Sequence, residues 1–217
     1  MAFIGDPDPW AGIFPQGLIP NILHLVVSVW AGFTKPKPYE HEVPITRRFR
    51  AALVQEKNVQ RKLPVRILRE VVEDDLKTGD ELGRIDMVFL SSQSCREDVY
   101  FAFECKRLNV IFETGLDTLA SKYVSKGVMR FINEQYASEM VAGGMIGYVM
   151  NNDLDGAIKA VHNSIKNQSK NLMTKSLAGL TDSSFWPTDK QIKESYHYLR
   201  NNRRFVIHHV FLPLSLS

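Results

Sequence analysis

Asp86, Glu104 and Lys106 are the residues whose types and spacing best suit chemistry. Glu104-Cys105-Lys106 closes an apolar run, Val99–Cys105, that reads as a strand. Side chains alternate across a strand, so Glu104 and Lys106 point to one face, and Phe101, Phe103 and Cys105 to the other. Asp86 stands after Ile85 and before a second apolar run that ends at Leu90. If the two runs pair through the polar Ser91–Asp98 loop, Asp86 comes to lie beside Glu104 and Lys106. Carboxylates held a few ångströms apart repel, and a divalent cation between them relieves the repulsion. Oxygen-only ligands suit Mg²⁺ or Mn²⁺ better than zinc. Such an ion stabilises charge on a phosphate and lowers the pKa of a water, and an adjacent lysine can orient that water.

The triplet alone is a weak pattern. Asp75-Leu76-Lys77 has the same form, but its neighbours Glu73, Asp74, Thr78, Gly79 and Asp80 read as a solvated turn. The weight of Glu104-Cys105-Lys106 comes from the elements around it. Ile45, Phe49, Ala52 and Leu53 follow helical spacing after Pro44, with Arg47, Arg48 and Arg50 on the polar face. That arginine face reads as solvated. Val65–Val72 is apolar and branched enough for a strand, with a helix as the alternative. Ile85–Leu90 and Val99–Cys105 follow, giving an antiparallel meander of three strands. Leu116–Met140 reads as one long helix, Gly143-Gly144 as a break and Met145–Met150 as a short buried strand. Ala157–Ile165 and Gln191–Arg200 are expected to be helical, and Phe205–Leu212 a last strand. Lys166–Asp189 is turn-rich, with Phe185-Trp186-Pro187 as an apolar plug.

Gly83-Arg84-Ile85-Asp86-Met87-Val88-Phe89, followed by Phe101-Ala102-Phe103-Glu104-Cys105-Lys106-Arg107-Leu108, resembles the PD-(D/E)XK nuclease superfamily over roughly residues 40–150. Ile85 stands where the motif name has proline. The resemblance implies an α/β, restriction-endonuclease-like core, with a mixed central sheet flanked by helices in the order αβββαβ. It implies metal-dependent hydrolysis of nucleic acid, DNA favoured over RNA, leaving a 5′-phosphate, in a setting such as phage defence, restriction or repair. Asp86 and Glu104 match its metal carboxylates, Lys106 its lysine, and the Cys105 carbonyl a further ligand for Mg²⁺ or Mn²⁺. Glu42 matches a glutamate at the start of the first helix; Glu56 and Glu73 are weaker candidates. The helix after the motif lies beside the site in that superfamily. Here it carries Lys122, Lys126 and Arg130 at i, i+4, i+8, a stripe that suits a phosphate backbone or a solvated face. Gly127 on the same helix would allow a strand or phosphate to come close. Gln135-Tyr136 does not reproduce the Gln-x-x-x-Tyr pattern of the RecB-like branch. The alternative function is a catalytically inactive module with this fold, acting in nucleic-acid binding or assembly.

Bulk properties set loose bounds. The chain has 217 residues, 44% of them hydrophobic, and a net charge of +3, which permits a nucleic-acid partner without demanding one. Cys95 and Cys105 have no zinc spacing and read as free thiols in a reducing, cytoplasmic setting. His162 and the pair His208-His209, one on each face of the last strand, read as structural. Residues 1–38 form an apolar N-terminal arm ending in the linker Lys35-Pro36-Lys37-Pro38, and residues 39–217 the nuclease-like domain. The unbroken apolar stretch Ile22–Phe33 falls short of the ~20 residues a membrane span needs. It reads as a packing helix near Ile22–Trp30, with a homodimer or partner contact left open.

Overall fold

The computed structural model describes residues 14–60, 63–74, 78–92, 99–135, 140–174, 179–199 and 202–215. Cys95, Tyr136, the Asp75-Leu76-Lys77 triplet and most of the Ser91–Asp98 loop lie outside these residues. A single 3-10 turn precedes α1 (Ile19–Gly32), and α2 (Glu42–Gln60) follows. Then come β1 (Val65–Asp74), β2 (Glu81–Ser91), β3 (Tyr100–Leu108) and a small hairpin of β4 (Val110–Phe112) and β5 (Gly115–Asp117). A helical stretch joins α3 (Ala120–Tyr123), a π-turn (Val124–Val128) and α4 (Met129–Ile132). The chain continues through β6 (Ala142–Val149), α5 (Leu154–Asn167), β7 (Thr181–Asp182), β8 (Ile192–Tyr198) and β9 (Arg204–Pro213).

The class is α/β. Seven strands form one mixed sheet in the order β1-β2-β3-β6-β9-β8-β7, with helices packed against it. β1, β2 and β3 form the expected antiparallel meander, and β3, β6 and β9 run parallel. The central β6 is buried along its whole length, as a parallel strand covered on both faces must be. Gly143 and Gly144 do not break the chain; they lie inside β6. A Cβ on Gly144 would stand 2.3 Å from the Phe103 ring, and one on Gly143 2.7 Å from Phe131, so the glycines make room for aromatic rings.

Two other expectations change. Gln191–Arg200 is largely strand β8, not a helix. Its inward residues Glu194, Ser195 and His197 are polar, so the hydrophobic alternation that announces a strand is missing. The expected helix Leu116–Met140 begins instead with β5, and turns helical only after Leu119, which holds a left-handed backbone at φ 54°.

Helix α1, from the apolar N-terminal segment, packs into the core. Ile19, Ile22, Leu23, Leu25, Val26 and Trp30 of α1 are buried in the same core as the sheet. Trp30 stacks on Tyr148 of β6, and its indole N–H donates to the Pro213 carbonyl at 2.6 Å. The apolar face of α1 packs on this core. No helix among the described residues is long and apolar enough to cross a membrane. Phe185 and Trp186 are each 39% exposed, so they cap the surface rather than plug it; Phe185 stacks on His208.

Candidate active site

The site forms where β2 and β3 part. Their ladder runs from Leu90↔Tyr100 to Met87↔Phe103. One residue further the Asp86 side chain takes over: its Oδ2 accepts the Cys105 N–H at 2.8 Å. On the other side of β2, the β1 ladder passes over Glu70, which takes a left-handed φ of 51°. Asp86 therefore occupies a local irregularity in the sheet, which frees its carboxylate for the site. Glu104 and Lys106 emerge on one face of β3, as alternation requires, and Cys105 is buried on the other.

Lys106 is the hub. Its ammonium donates to Glu104 Oε1 at 2.7 Å, to the Cys105 carbonyl at 2.7 Å and to Glu42 Oε1 at 3.1 Å, and lies 3.8 Å from Asp86 Oδ2. Glu42 is the first residue of α2, and its second oxygen accepts the Arg107 N–H at 3.1 Å. Thus Asp86, Glu104, Glu42 and the Cys105 carbonyl all come together. Glu56 lies in a groove between α1 and α2, and Glu73 lies on β1 opposite Gly83, at the outer end of the β1–β2 ladder.

The basic stripe is split. Arg130 reaches into the site and donates to Glu104 Oε1 at 3.0 Å. Lys122 and Lys126 stay exposed. The π-turn between Lys122 and Arg130 spoils a regular i, i+4 progression, and it seats Gly127 against the sheet. A Cβ there would stand 2.4 Å from the end of Met145 and 3.7 Å from Glu104 Cγ. Arg47 and Arg48 are exposed, the latter paired with Glu40, while Arg50 donates to the Ile67 carbonyl at 3.0 Å.

Three carboxylates thus face two cations in a largely dry place. Burial pushes the Glu104 carboxyl up to about 7, with the Asp86 charge adding to it and Lys106 and Arg130 opposing. Burial likewise raises Glu42. Burial lowers Lys106, but Glu104, Glu42 and Asp86 outweigh it and raise the ammonium above its ordinary value. Glu104 Oε2 is buried without a hydrogen-bond partner. Among the described residues no three His, Cys, Asp or Glu side chains are gathered as a ready-made metal cage, since these carboxylates gather around an ammonium instead. Even so, the donor set fits a hard cation: it is all oxygen, carries excess negative charge and includes one buried oxygen that lacks a donor.

Sequence reasoning missed a second buried polar cluster. His197 Nδ1 lies 2.9 Å from the Leu172 carbonyl, so that nitrogen must carry the proton and Nε2 must accept. Nε2 then accepts a hydrogen bond from the Ser195 hydroxyl at 2.7 Å, Ser195 Oγ accepts from His209 Nε2–H at 2.8 Å, and His209 Nδ1 accepts from the Tyr123 hydroxyl at 2.9 Å. On the other face Glu194 accepts from Ser184, Tyr196 and Ser183 and pairs with His208 at 3.3 Å. The alternation of His208 and His209 between faces was legible, but Ser195 and Glu194, which meet them, sit on the strand taken for a helix. His162, expected to be structural, accepts the Leu180 N–H at 3.1 Å. The comparisons found no match to this chain among protein-family models, curated proteins or solved structures.

Proposed function

We propose that this chain is a Mg²⁺- or Mn²⁺-dependent nuclease of PD-(D/E)XK type, with a restriction-endonuclease-like core, acting on nucleic acid with DNA favoured over RNA. The observation that carries this reading is the convergence of Glu104, the Cys105 carbonyl, Glu42 and Asp86 on one cation, with Glu104 Oε2 buried and unpaired. Asp86, Glu104, the Cys105 carbonyl and Glu42 would hold the metal. A divalent ion there supplies Lewis acidity to a phosphodiester and a more acidic water. Lys106 would orient the attacking water through its N–H donors. Arg130 sits where it can offset charge on the phosphate. A phage-defence or restriction setting is the family analogy that accompanies this reading.

The second reading, an inactive binding or assembly module, has one observation in its favour. The Lys106–Glu104 pair at 2.7 Å already satisfies half of the Glu104 carboxylate. A Mn²⁺ titration followed by melting temperature separates the two, because a ligand that binds only the folded state raises Tm. The nuclease reading expects a rise in the wild type that Glu104→Gln removes, and metal-dependent cut products in a panel of single- and double-stranded DNA and RNA. A flat titration with no cut product supports the module.

A further inference from the structure

Directly beyond the motif strand, the β4–β5 hairpin holds apolar side chains out in water. Ile111 is 61% exposed, Leu116 55% and Phe112 45%. Ile111 and Leu116 are direct cross-strand partners and share a face; Phe112 sits opposite Gly115 beside the turn. A two-stranded hairpin alone is marginal in water. This one is fastened at its base. The Asn109 N–H donates to the Thr118 carbonyl at 3.1 Å, the Asn109 amide donates to the Asp153 carbonyl at 3.1 Å, and Asp117 accepts the Leu119 N–H at 2.9 Å. Asn109 and Leu119, one at each foot, both take left-handed backbone, at φ 53° and 54°. The fold thus tolerates local strain to present this apolar tip in a fixed place.

We infer that the hairpin is an apolar wedge that packs against the bases of the nucleic-acid strand lying in the site; this inference rests on the nuclease reading. Val110 follows Lys106 by four positions, so the wedge begins within about 14 Å of the motif lysine. That is about four stacked base steps at ~3.4 Å each. The flanking charge suits a polyanion. Lys122 and Lys126, just after the hairpin, are exposed and make no ion pair with a described residue. Of the hairpin's own acids, Asp117 is engaged in capping Leu119 and Glu113 stands at the turn. The charge therefore comes from the helix, and the hairpin supplies apolar contact, as wedge side chains do between base steps. A second copy of the chain fits less well. Three side chains offer on the order of a few hundred Å², short of the ~800 Å² per partner that a stable interface buries.

The test uses the full chain with Lys106→Ala as a non-cleaving background, and oligonucleotides carrying 2-aminopurine at successive positions. The expected result is brightening at a position a few nucleotides from the scissile bond. Phe112→Ser with Leu116→Ser should abolish the brightening and weaken binding about tenfold. The Mn²⁺ shift in Tm should persist, and Phe112→Tyr should restore the signal. Both hairpin residues are exposed, so an unchanged Tm serves as the folding control. Equal brightening and affinity in the double variant overturn the wedge while leaving the nuclease reading intact. A change in sedimentation rather than nucleic-acid affinity assigns the hairpin to self-association and also overturns it. A wild type that shows no Mn²⁺ shift and no cleavage overturns the nuclease reading, and the wedge with it.

Discussion

Two buried polar clusters stand on the same face of the sheet, and they are built on opposite terms. In the chain running from Tyr123 through His209, Ser195 and His197 to the Leu172 carbonyl, every polar atom has a partner, and burial lowers both imidazoles below the ordinary histidine range, which favours their neutral form. Around Lys106, three carboxylates crowd one ammonium and one guanidinium, and Glu104 Oε2 is left without a donor. A satisfied buried network rigidifies a fold. An unsatisfied one is a cost that the rest of the protein must support, and such costs collect at functional sites. The difference is what supports reading the Lys106 cluster as the site of the proposed function.

The largest expected effect breaks the comparison outright. Lys106→Ala should lower cleavage by about 10²–10⁴-fold, the usual worth of a positioned proton-handling group, and yet strengthen Mn²⁺ binding. The reason is that the ammonium and the metal compete for the same oxygens. Melting with and without Mn²⁺ checks this; a weaker metal shift in the variant would refute the competition.

Next is pH, where the clusters should respond in opposite senses. Glu104 is raised from 4.5 to about 7, so its stability contribution is full below about pH 4.5 and is lost as pH rises through about 7. His197 is lowered by burial from 6.5 to about 4, so its contribution is full above about pH 6.5 and is lost as pH falls through about 4. Each shift corresponds to about 3 kcal/mol. Denaturant melts of Glu104→Gln and His197→Gln, each taken as a difference from wild type, should therefore change in opposite directions across pH 4–7. The same Glu104 proton should weaken Mn²⁺ binding by about tenfold per unit below pH 7.

Ser195→Ala sharpens the contrast at lower amplitude. It leaves His197 Nε2 and the His209 Nε2–H without their shared partner and should cost about 2 kcal/mol, with the Mn²⁺ shift unchanged. A change in metal response would show that the two clusters are coupled. Gly127→Ala should have the smallest effect, a net loss of about 1 kcal/mol, since the clash falls on the flexible end of Met145 and alanine favours the helix. Its readout is the Mn²⁺ shift, because the methyl also approaches Glu104.

The parts of this protein legible in the sequence are those governed by local rules. Alternation placed Glu104 and Lys106 on one face of β3 and buried Cys105 on the other. The apolar runs on either side of a polar loop announced the β2–β3 pairing, and Pro44 announced a first helical turn. Arg130 was legible as a cation near the site, though not as a partner of Glu104. β8 was not legible, because its buried side chains are hydrogen-bonded polar residues whose partners come from other strands and loops.

The sequence by itself determined that Glu104 and Lys106 share a strand face, since alternation is a property of the backbone alone. Only the tertiary structure decided that α1 belongs to the core and that Glu42, 64 residues before Lys106, reaches its ammonium. It also decided that Asp86 gives its carboxylate to the Cys105 N–H, and that a π-turn draws Gly127 and Arg130 down onto Glu104. Those contacts join segments far apart in the chain. They depend on how the sheet and its covering helices pack, which no local periodicity encodes.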